Sequence, residues 1–386
     1  MNAKDVLMAL LRAEVCDGAL TEELKSALTP ELLEKVYSLA KVHDLAHIAG
    51  QALGKLGVLV NDELSNQFRN KTIGAVARYV RLQFEYDAIC KCLEAAGIAF
   101  LPLKGAVLRQ YYPEGWMRTS SDIDILVKED IVEQAAAVLA EKLSYRRGEK
   151  STHDIALFSN TGVHLELHYN MVEDNRAGNA RGVLENVWEY SSLEETGAYC
   201  HRMQEEMFYF YHIAHMAKHV EEGGCGIRTF LDLWILNHRV IFDPDARDRL
   251  LEKGGLKTFA RAAERLAEVW FSEEETDDMS EQLSAFILGG GAFGSMENNI
   301  AIKHGKMGGA KEYAYRRIFP PFEKMEFRYP VLGRHPWLLP VYHVVRWITV
   351  LCKGNGLQSL RELEANASMS ENIVKKTAEL MKQLGL

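Results

Sequence analysis

The stretch FLPLKGAVLRQYYPEGWMRTSSDIDILV, Phe100 to Val127, decides how this chain is read. Ile98 to Leu103 has the apolar composition of a core strand, and it ends in Lys104-Gly105. AVLRQYY follows as a short helix, and DIDILV reads as a second strand. Successive strand side chains point to opposite faces, so Asp122 and Asp124 share one face and Ile123 and Ile125 the other. Two carboxylates this close repel unless a cation lies between them. Mg²⁺ suits the pair because it binds through one or two carboxylates plus substrate phosphates, and Mn²⁺ has similar ligand tastes. An isolated Asp-x-Asp is more often a solvated strand face, so the flanks carry the argument.

Upstream, Lys104-Gly105 sits where strand becomes helix. Glycine permits close backbone approach to a ligand, a helix N-terminus favours phosphate, and Lys104 adds a point charge. Arg118, Thr119, Ser120 and Ser121 supply further donors just before the aspartates. Downstream, HDIALFSNTGVHLELHYN reads as two strands joined at Ser159 to Thr161. On the second of these, His164, Glu166 and His168 share a face while Leu165 and Leu167 face a core. Glu166 thus brings a third carboxylate on another strand. Two metals held by such a set stabilise attacking and leaving oxygens in an in-line displacement.

These pieces together resemble the DNA polymerase β-like nucleotidyltransferase superfamily, and more narrowly a bacterial group of it with Lys-Gly and Asp-x-Asp motifs. The matching segments are LPLKG (101–105), RTSSDIDILV (118–127) and HLELH (164–168), with HIAHMAKHV (212–220) and GIRTFLDLWIL (226–236) further on. The resemblance implies an α+β protein: a small mixed sheet with helices as the nucleotidyltransferase core, a mainly helical N-terminal segment and a C-terminal helical domain. The expected spans are 1–75, 76–175 for the core, and 176–386. It further implies Asp122, Asp124 and Glu166 as metal ligands and catalytic residues. Lys104, Gly105, Arg118, Ser120, Ser121 and His168 are the expected nucleotide-binding residues. One departure stands out: where many members carry Gly-Ser on the first short helix, this chain has Gly105-Ala106.

Composition sets the outer bounds. The 386 residues are long for one domain, and 47% hydrophobic with 26% charged is a globular balance. A net charge of −9 argues against bulk, sequence-independent nucleic-acid binding. The six cysteines show no zinc-like spacing and read as free thiols of a reducing, cytoplasmic compartment. The N-terminus lacks a signal-like or membrane-spanning run, and no membrane partner is expected.

Elsewhere the chain reads as helices. Residues 4–15 and 21–28 form short ones, and Thr29-Pro30 starts another through ELLEKVYSLAKVHDLAHIAGQAL. His43 and His47 lie one turn apart on it and read as surface histidines. Asn61 is the expected cap of a long helix reaching Ala96, stopped by Gly97. His212, His215 and His219 share a helix face, a spacing that suits a metal, a polar stripe in a cleft or, by the resemblance, a face toward the nucleotide. Arg228 and Asp232 are spaced as an i,i+4 ion pair or as substrate contacts. Gly289 to Gly294 matches a glycine-rich dinucleotide fingerprint, but no strand–helix–strand unit surrounds it, so a break between helices is the reading. Residues 303–328 mix cations with aromatics, as single-strand nucleic-acid binders do, but Glu312, Glu323 and Glu326 dilute the charge and a solvated helix face is the preferred reading. Trp337 to Leu351 is apolar but too short to span a bilayer and reads as a buried helix.

The functional expectation is an Mg-dependent nucleotidyltransferase that moves an NMP group from an NTP to an acceptor, whether small molecule, sugar, RNA end or protein. The alternatives are a catalytically degenerate nucleotide-binding module and a toxin-like enzyme modifying tRNA or protein.

Overall fold

The computed structural model describes all residues except 173–177, 196, 293, 308, 353–364 and 366–368. The expected boundary between residues 175 and 176 falls outside the described residues.

Four helices open the chain: α1 (Ala3–Val15), α2 (Glu22–Ala27), α3 (Pro30–Val42) and α4 (Ala46–Lys55). Thr29 caps α3, accepting a hydrogen bond from the Leu32 amide, and Pro30 takes the first turn. The single helix expected through residue 53 is broken at Asp44, whose φ of 55° lies in the left-handed region. The 33-residue α5 (Glu63–Ala95) follows, capped by Asp62 rather than by Asn61. It ends at Gly97, where a φ of 68° suits a residue without Cβ.

The core then runs β1 (Phe100–Pro102), α6 (Lys104–Leu108), β2 (Asp122–Val127), α7 (Val132–Leu143), β3 (Arg146–Lys150), β4 (Asp154–Phe158) and β5 (His164–His168). The five strands pair in the order β1-β2-β5-β4-β3. Only β2 and β5 run parallel; the other neighbours are antiparallel. The expected polar edge strand is β3, whose five residues are all exposed.

Period-two alternation divides the sheet into two faces. Ile123, Ile125, Val127, Ile155, Leu157, Leu165 and Leu167 pack with Leu82, Ile89 and Leu93 of α5 and Val132, Ala135 and Leu139 of α7 in one apolar cluster. Under this layer the buried Glu85 accepts hydrogen bonds from Tyr145 (2.7 Å) and Thr161 (2.5 Å). The opposite face carries the carboxylates.

After α8 (Arg181–Leu184) and a hairpin of β6 (Ser191–Leu193) and β7 (His201–Met203), the chain is helical: α9 (Glu205–Glu221), α10 (Ile227–Arg239), α11 (Pro244–Lys253), α12 (Lys257–Phe271), α13 (Asp278–Leu288), α14 (Met296–Met307), α15 (Ala310–Ile318), α16 (Phe322–Arg328), α17 (Val331–Arg334), α18 (Leu339–Cys352) and α19 (Glu371–Leu384). Residues of α1, α3, α4, α9, α10 and α12 belong to one larger apolar cluster, so the N-terminal and C-terminal helices share a core.

The glycine-rich run 289–294 forms a turn between α13 and α14. Its Gly294 has a φ of 76°, and a Cβ there would lie 2.5 Å from the carbonyl carbon of Gly223. A Cβ on Gly290 would in turn lie 3.1 Å from the Gly294 Cα, so at these two glycines backbone packs on backbone.

Two expectations are corrected here. His43 and His47 are buried, not surface residues, because α4 folds back on α5 and the loop before β2. His47 Nε2 donates to the Met117 carbonyl at 2.8 Å. The helix read as buried, α18, instead turns Val341, Val344, Val345 and Ile348 to solvent, because Arg346 faces inward to the Arg317 and Ile318 carbonyls.

Candidate active site

The strand pairing assembles the site. Parallel register sets Asp122 beside His164, Asp124 beside Glu166 and Leu126 beside His168, so carboxylates from two strands share one face. The Leu103 amide bonds to the Asp124 carbonyl at 3.0 Å, which brings the β1–α6 turn alongside. Lys104 then adopts a φ of 39°, a conformation that side-chain-bearing residues rarely take. There its Nζ lies 3.0 Å from Asp124 Oδ1.

Asp124 is the hub. It is buried, and His168 Nε2 reaches the same Oδ1 at 3.0 Å. His168 Nε2 also lies 3.4 Å from Glu166 Oε2. Burial by itself would raise the Asp124 pKa, but the Lys104 charge and the His168 hydrogen bond outweigh it and hold the carboxyl well below the usual range. Burial and the Lys104 charge lower the His168 pKa, but its hydrogen bonds to Asp124 and Glu166 outweigh them and raise it. Burial also works against the Lys104 ammonium, yet Tyr211 and Asp124 raise its pKa.

Asp122 behaves in the opposite way. Desolvation, then repulsion from Asp124 and Glu166, push its pKa up. That repulsion is what a cation would relieve. Among the described residues, Asp122, His164 and Glu166 form one group of ligand atoms within 4.8 Å of one another, and Asp124, Glu166 and His168 form a second. Glu166 belongs to both. Carboxylate oxygens fit hard divalent cations, so the residues present fit the metal that the sequence pattern calls for.

The expected phosphate-binding residues divide. A Cβ on the buried Gly105 would stand 3.4 Å from Ser120 Cβ, so α6 and the pre-β2 loop lie against each other. Ser121 Oγ donates to Asp122 Oδ2 at 3.2 Å and is exposed. Ser120 Oγ donates to the Asp122 carbonyl at 2.9 Å and accepts from Arg109.

Arg118 points elsewhere. It is buried, and its Nε donates to both carboxylate oxygens of Asp232 at 2.7 and 2.9 Å, while its Nη1 donates to the Thr119 carbonyl at 2.6 Å. Tyr112 also donates to Asp232, at 2.7 Å. The expected Arg228–Asp232 pair is therefore replaced: Arg228 instead binds Asp44 at 3.0 Å and Thr119 at 3.1 Å. A tertiary partner displaced the local one because Asp232 faces the core, not the helix surface.

Helix α9 closes the site. A small cavity of about 90 Å³ is lined by Lys104, Tyr211, His215, His219, Arg228 and Asp232 among others. A second, of about 80 Å³, runs from His168 past Tyr211 and His215 to Lys218. His215 and His219 place their Nε2 atoms 3.2 Å apart. Burial first, then the Lys104, His219 and His212 charges, lower His215 far below the ordinary imidazole value. His219 falls to about 4, through burial and the Lys218 charge. His212 bonds to the Thr229 carbonyl at 3.0 Å. These three histidines form no ligand-sized group with a carboxylate or thiolate among the described residues; they face the Lys104 side of the site.

Sequence reasoning missed Arg109 and Asp232 as supports of this loop. Arg109 follows Gly105 by one helical turn, but nothing local in the sequence names its partners, Ser120 and the Arg118 carbonyl. His164 was legible, since it alternates with Leu165 on the Glu166 face. A cavity of about 760 Å³ lies beyond β1 among Glu94, Phe100, Cys200 and Arg202. It contains none of Asp122, Asp124 and Glu166, so charge and geometry rather than volume locate the site.

A small mixed sheet with paired carboxylates at the start of β2, a third on its parallel neighbour and a Lys-Gly turn beside them define an α+β nucleotidyltransferase-like protein. The chain belongs to the family described as uncharacterised nucleotidyltransferase, which matches residues 30–272, from α3 through the end of α12. No protein of curated function and no solved structure matches the chain.

Proposed function

We propose that this chain is an Mg²⁺- or Mn²⁺-dependent nucleotidyltransferase that moves an NMP group from an NTP to an acceptor oxygen. The observation that carries this reading is the parallel register setting Asp124 opposite Glu166, with Asp122 two residues away. Asp122, Asp124 and Glu166 would hold the metal, which when bound supplies charge neutralisation on the phosphates. The acceptor oxygen bonds to the α-phosphorus, the bond to the β-phosphate oxygen breaks, and pyrophosphate leaves. Lys104, Gly105, Ser120 and Ser121 border the space beside Asp122 where phosphates would lie. His168 holds Asp124 and Glu166 in place. Arg118 supports the loop through Asp232 and, in this geometry, reaches phosphate only by giving up that pair. Catalysis then consists of positioning and electrostatic stabilisation.

A second reading is favoured by two specific features. Lys104 already neutralises Asp124, and Ala106 stands where many relatives of this type carry a hydroxyl. A core of this kind could bind nucleotide without turning it over. Both readings predict that an NTP with Mg²⁺ or Mn²⁺ raises thermal stability, since a ligand binding only the folded state stabilises by mass action. That rise should vanish in an Asp122→Asn/Asp124→Asn variant. Pyrophosphate release on addition of an acceptor separates the two readings. No rise with any of the four NTPs would refute both.

A further inference from the structure

Helix α18 is amphipathic in the wrong sense. Its arginine points inward: Arg346 is 8% exposed and donates to the carbonyls of Arg317 (3.2 Å) and Ile318 (3.4 Å). Trp347 follows it inward and donates to the Ile318 carbonyl at 3.0 Å. Tyr342 packs at a tilt against Tyr329 of the α16–α17 connection, with ring centres 4.8 Å apart and ring planes 45° apart. The side left outward is Val341, Val344, Val345 and Ile348, a ridge at i, i+3, i+4 and i+7. Val344 is 59% and Ile348 56% exposed, and Trp337 just before the helix is 74% exposed. Tyr315 of the neighbouring α15 and Phe319 just past its end are exposed as well. Scattered apolar residues on a surface need no explanation, but a contiguous ridge on one helix marks an interaction site.

Charge identifies what the ridge meets. Residues 303–346 hold nine Lys and Arg against three Glu, a net +6 inside a chain of net −9. Lys311, Arg316, Lys324, Arg328 and Arg334 are all exposed. A second copy of this face would bring like charges together. A nucleic acid would use the cations but gain nothing from an outward valine ridge. An apolar ridge with a tryptophan at its end, on a stretch of chain rich in exposed cations, fits a lipid surface with anionic headgroups. Tryptophan favours the boundary between headgroup and acyl chain. No helix among the described residues is long and apolar enough to cross a membrane, so the contact lies along the surface.

We infer that the α15–α18 region docks this protein onto an anionic phospholipid surface, with Trp337, Val341, Val344 and Ile348 entering the interface and Lys324, Arg328 and Arg334 facing the headgroups. The inference is independent of the catalytic reading, because none of these residues borders the carboxylates.

The test is vesicle flotation of the full chain with phosphatidylcholine vesicles, with and without admixed phosphatidylglycerol. The expected result is partition onto the anionic vesicles at least ~10-fold above the neutral ones, weakened by salt. Val344→Asp/Ile348→Asp and Arg328→Glu/Arg334→Glu should each lower that partition by about tenfold or more. Both variants change exposed side chains, and unchanged circular dichroism and unfolding midpoints establish that they fold. A blue shift of tryptophan emission on vesicle addition should be lost in Trp337→Phe. Absence of partition by the folded parent chain overturns the proposal, as does partition that both variants retain. A concentration-dependent dimer abolished by Val344→Asp/Ile348→Asp, without vesicle binding, overturns it in favour of a second copy. RNA binding abolished by Arg328→Glu/Arg334→Glu, without vesicle binding, overturns it in favour of nucleic acid.

Discussion

Removing the Arg118 guanidinium separates a structural role from a phosphate-binding one. Asp232 is fully buried, and Arg118 supplies both of its charged contacts, at 2.7 and 2.9 Å. Truncating one partner of a buried ion pair leaves an uncompensated charge and typically costs about 3–5 kcal/mol. Tyr112 still donates to Asp232, which places Arg118→Ala near the lower end, at roughly 3 kcal/mol. The Thr119 carbonyl loses a donor too, so the loop leading to Asp122 should loosen. Chemical unfolding followed by circular dichroism measures the loss. A cycle with Asp232→Asn and the double variant should return a coupling of about 1–3 kcal/mol, as residues in one network do. If Arg118→Ala unfolds at the same denaturant concentration as its parent while NTP affinity falls more than about tenfold, a 1.4 kcal/mol effect on binding, Arg118 is a phosphate ligand and the argument from the ion pair is wrong.

Two further predictions concern the scaffold. His43 and His47 each titrate near 4 instead of 6.5 because burial disfavours their charged form, so between those values the unfolded chain binds more protons. Their contribution is therefore complete above about pH 6.5 and is lost as pH falls toward 4, on the order of 3 kcal/mol for each imidazole. Unfolding midpoints measured from pH 7 to pH 5 should fall less steeply in His43→Gln/His47→Gln than in the parent, and identical slopes would contradict burial. For glycine, Gly294→Ala must place a Cβ 2.5 Å from the Gly223 backbone at a φ of 76°, whereas Gly57→Ala, at a φ of 68°, meets nothing within 4 Å. Unfolding should show Gly57→Ala costing about 1 kcal/mol and Gly294→Ala distinctly more; equal losses would refute the close approach.

The parts of this protein legible in the sequence were those encoded by local period. DIDILV and HLELH alternate by two, and that alternation sorted the carboxylates from the isoleucines and leucines, with Asp122 and Asp124 on one face of their strand and Glu166 and His168 on one face of theirs; the parallel register that joins the two faces was not legible. The Lys-Gly turn after β1 was legible because strand residues stop at Leu103. Partners far apart in sequence were not legible. Nothing near Arg228 says that Asp44, 184 positions away, will take its guanidinium, or that Asp232 will turn inward to Arg118. The break between α3 and α4 was hidden because HDL continues a helical pattern, and only the left-handed Asp44, bonded to Thr119 and Arg228, reveals it. The same break buries His43 and His47. Helix α18 departs in the opposite direction: its apolar run reads as a core helix, but Arg346 gains its hydrogen bonds only by facing inward, which turns the valines out.

The central claim is that Asp122, Asp124 and Glu166 form one cation site completed by a nucleotide. It is tested most directly by titrating Mn²⁺ into the protein and following free Mn²⁺ by electron paramagnetic resonance, with and without an NTP. Mn²⁺ should bind, an NTP should strengthen that binding, and Asp124→Asn and Glu166→Gln should each weaken it by about tenfold or more, as expected when a hard cation loses a carboxylate ligand. Mn²⁺ binding of equal strength in the parent and both variants would contradict it.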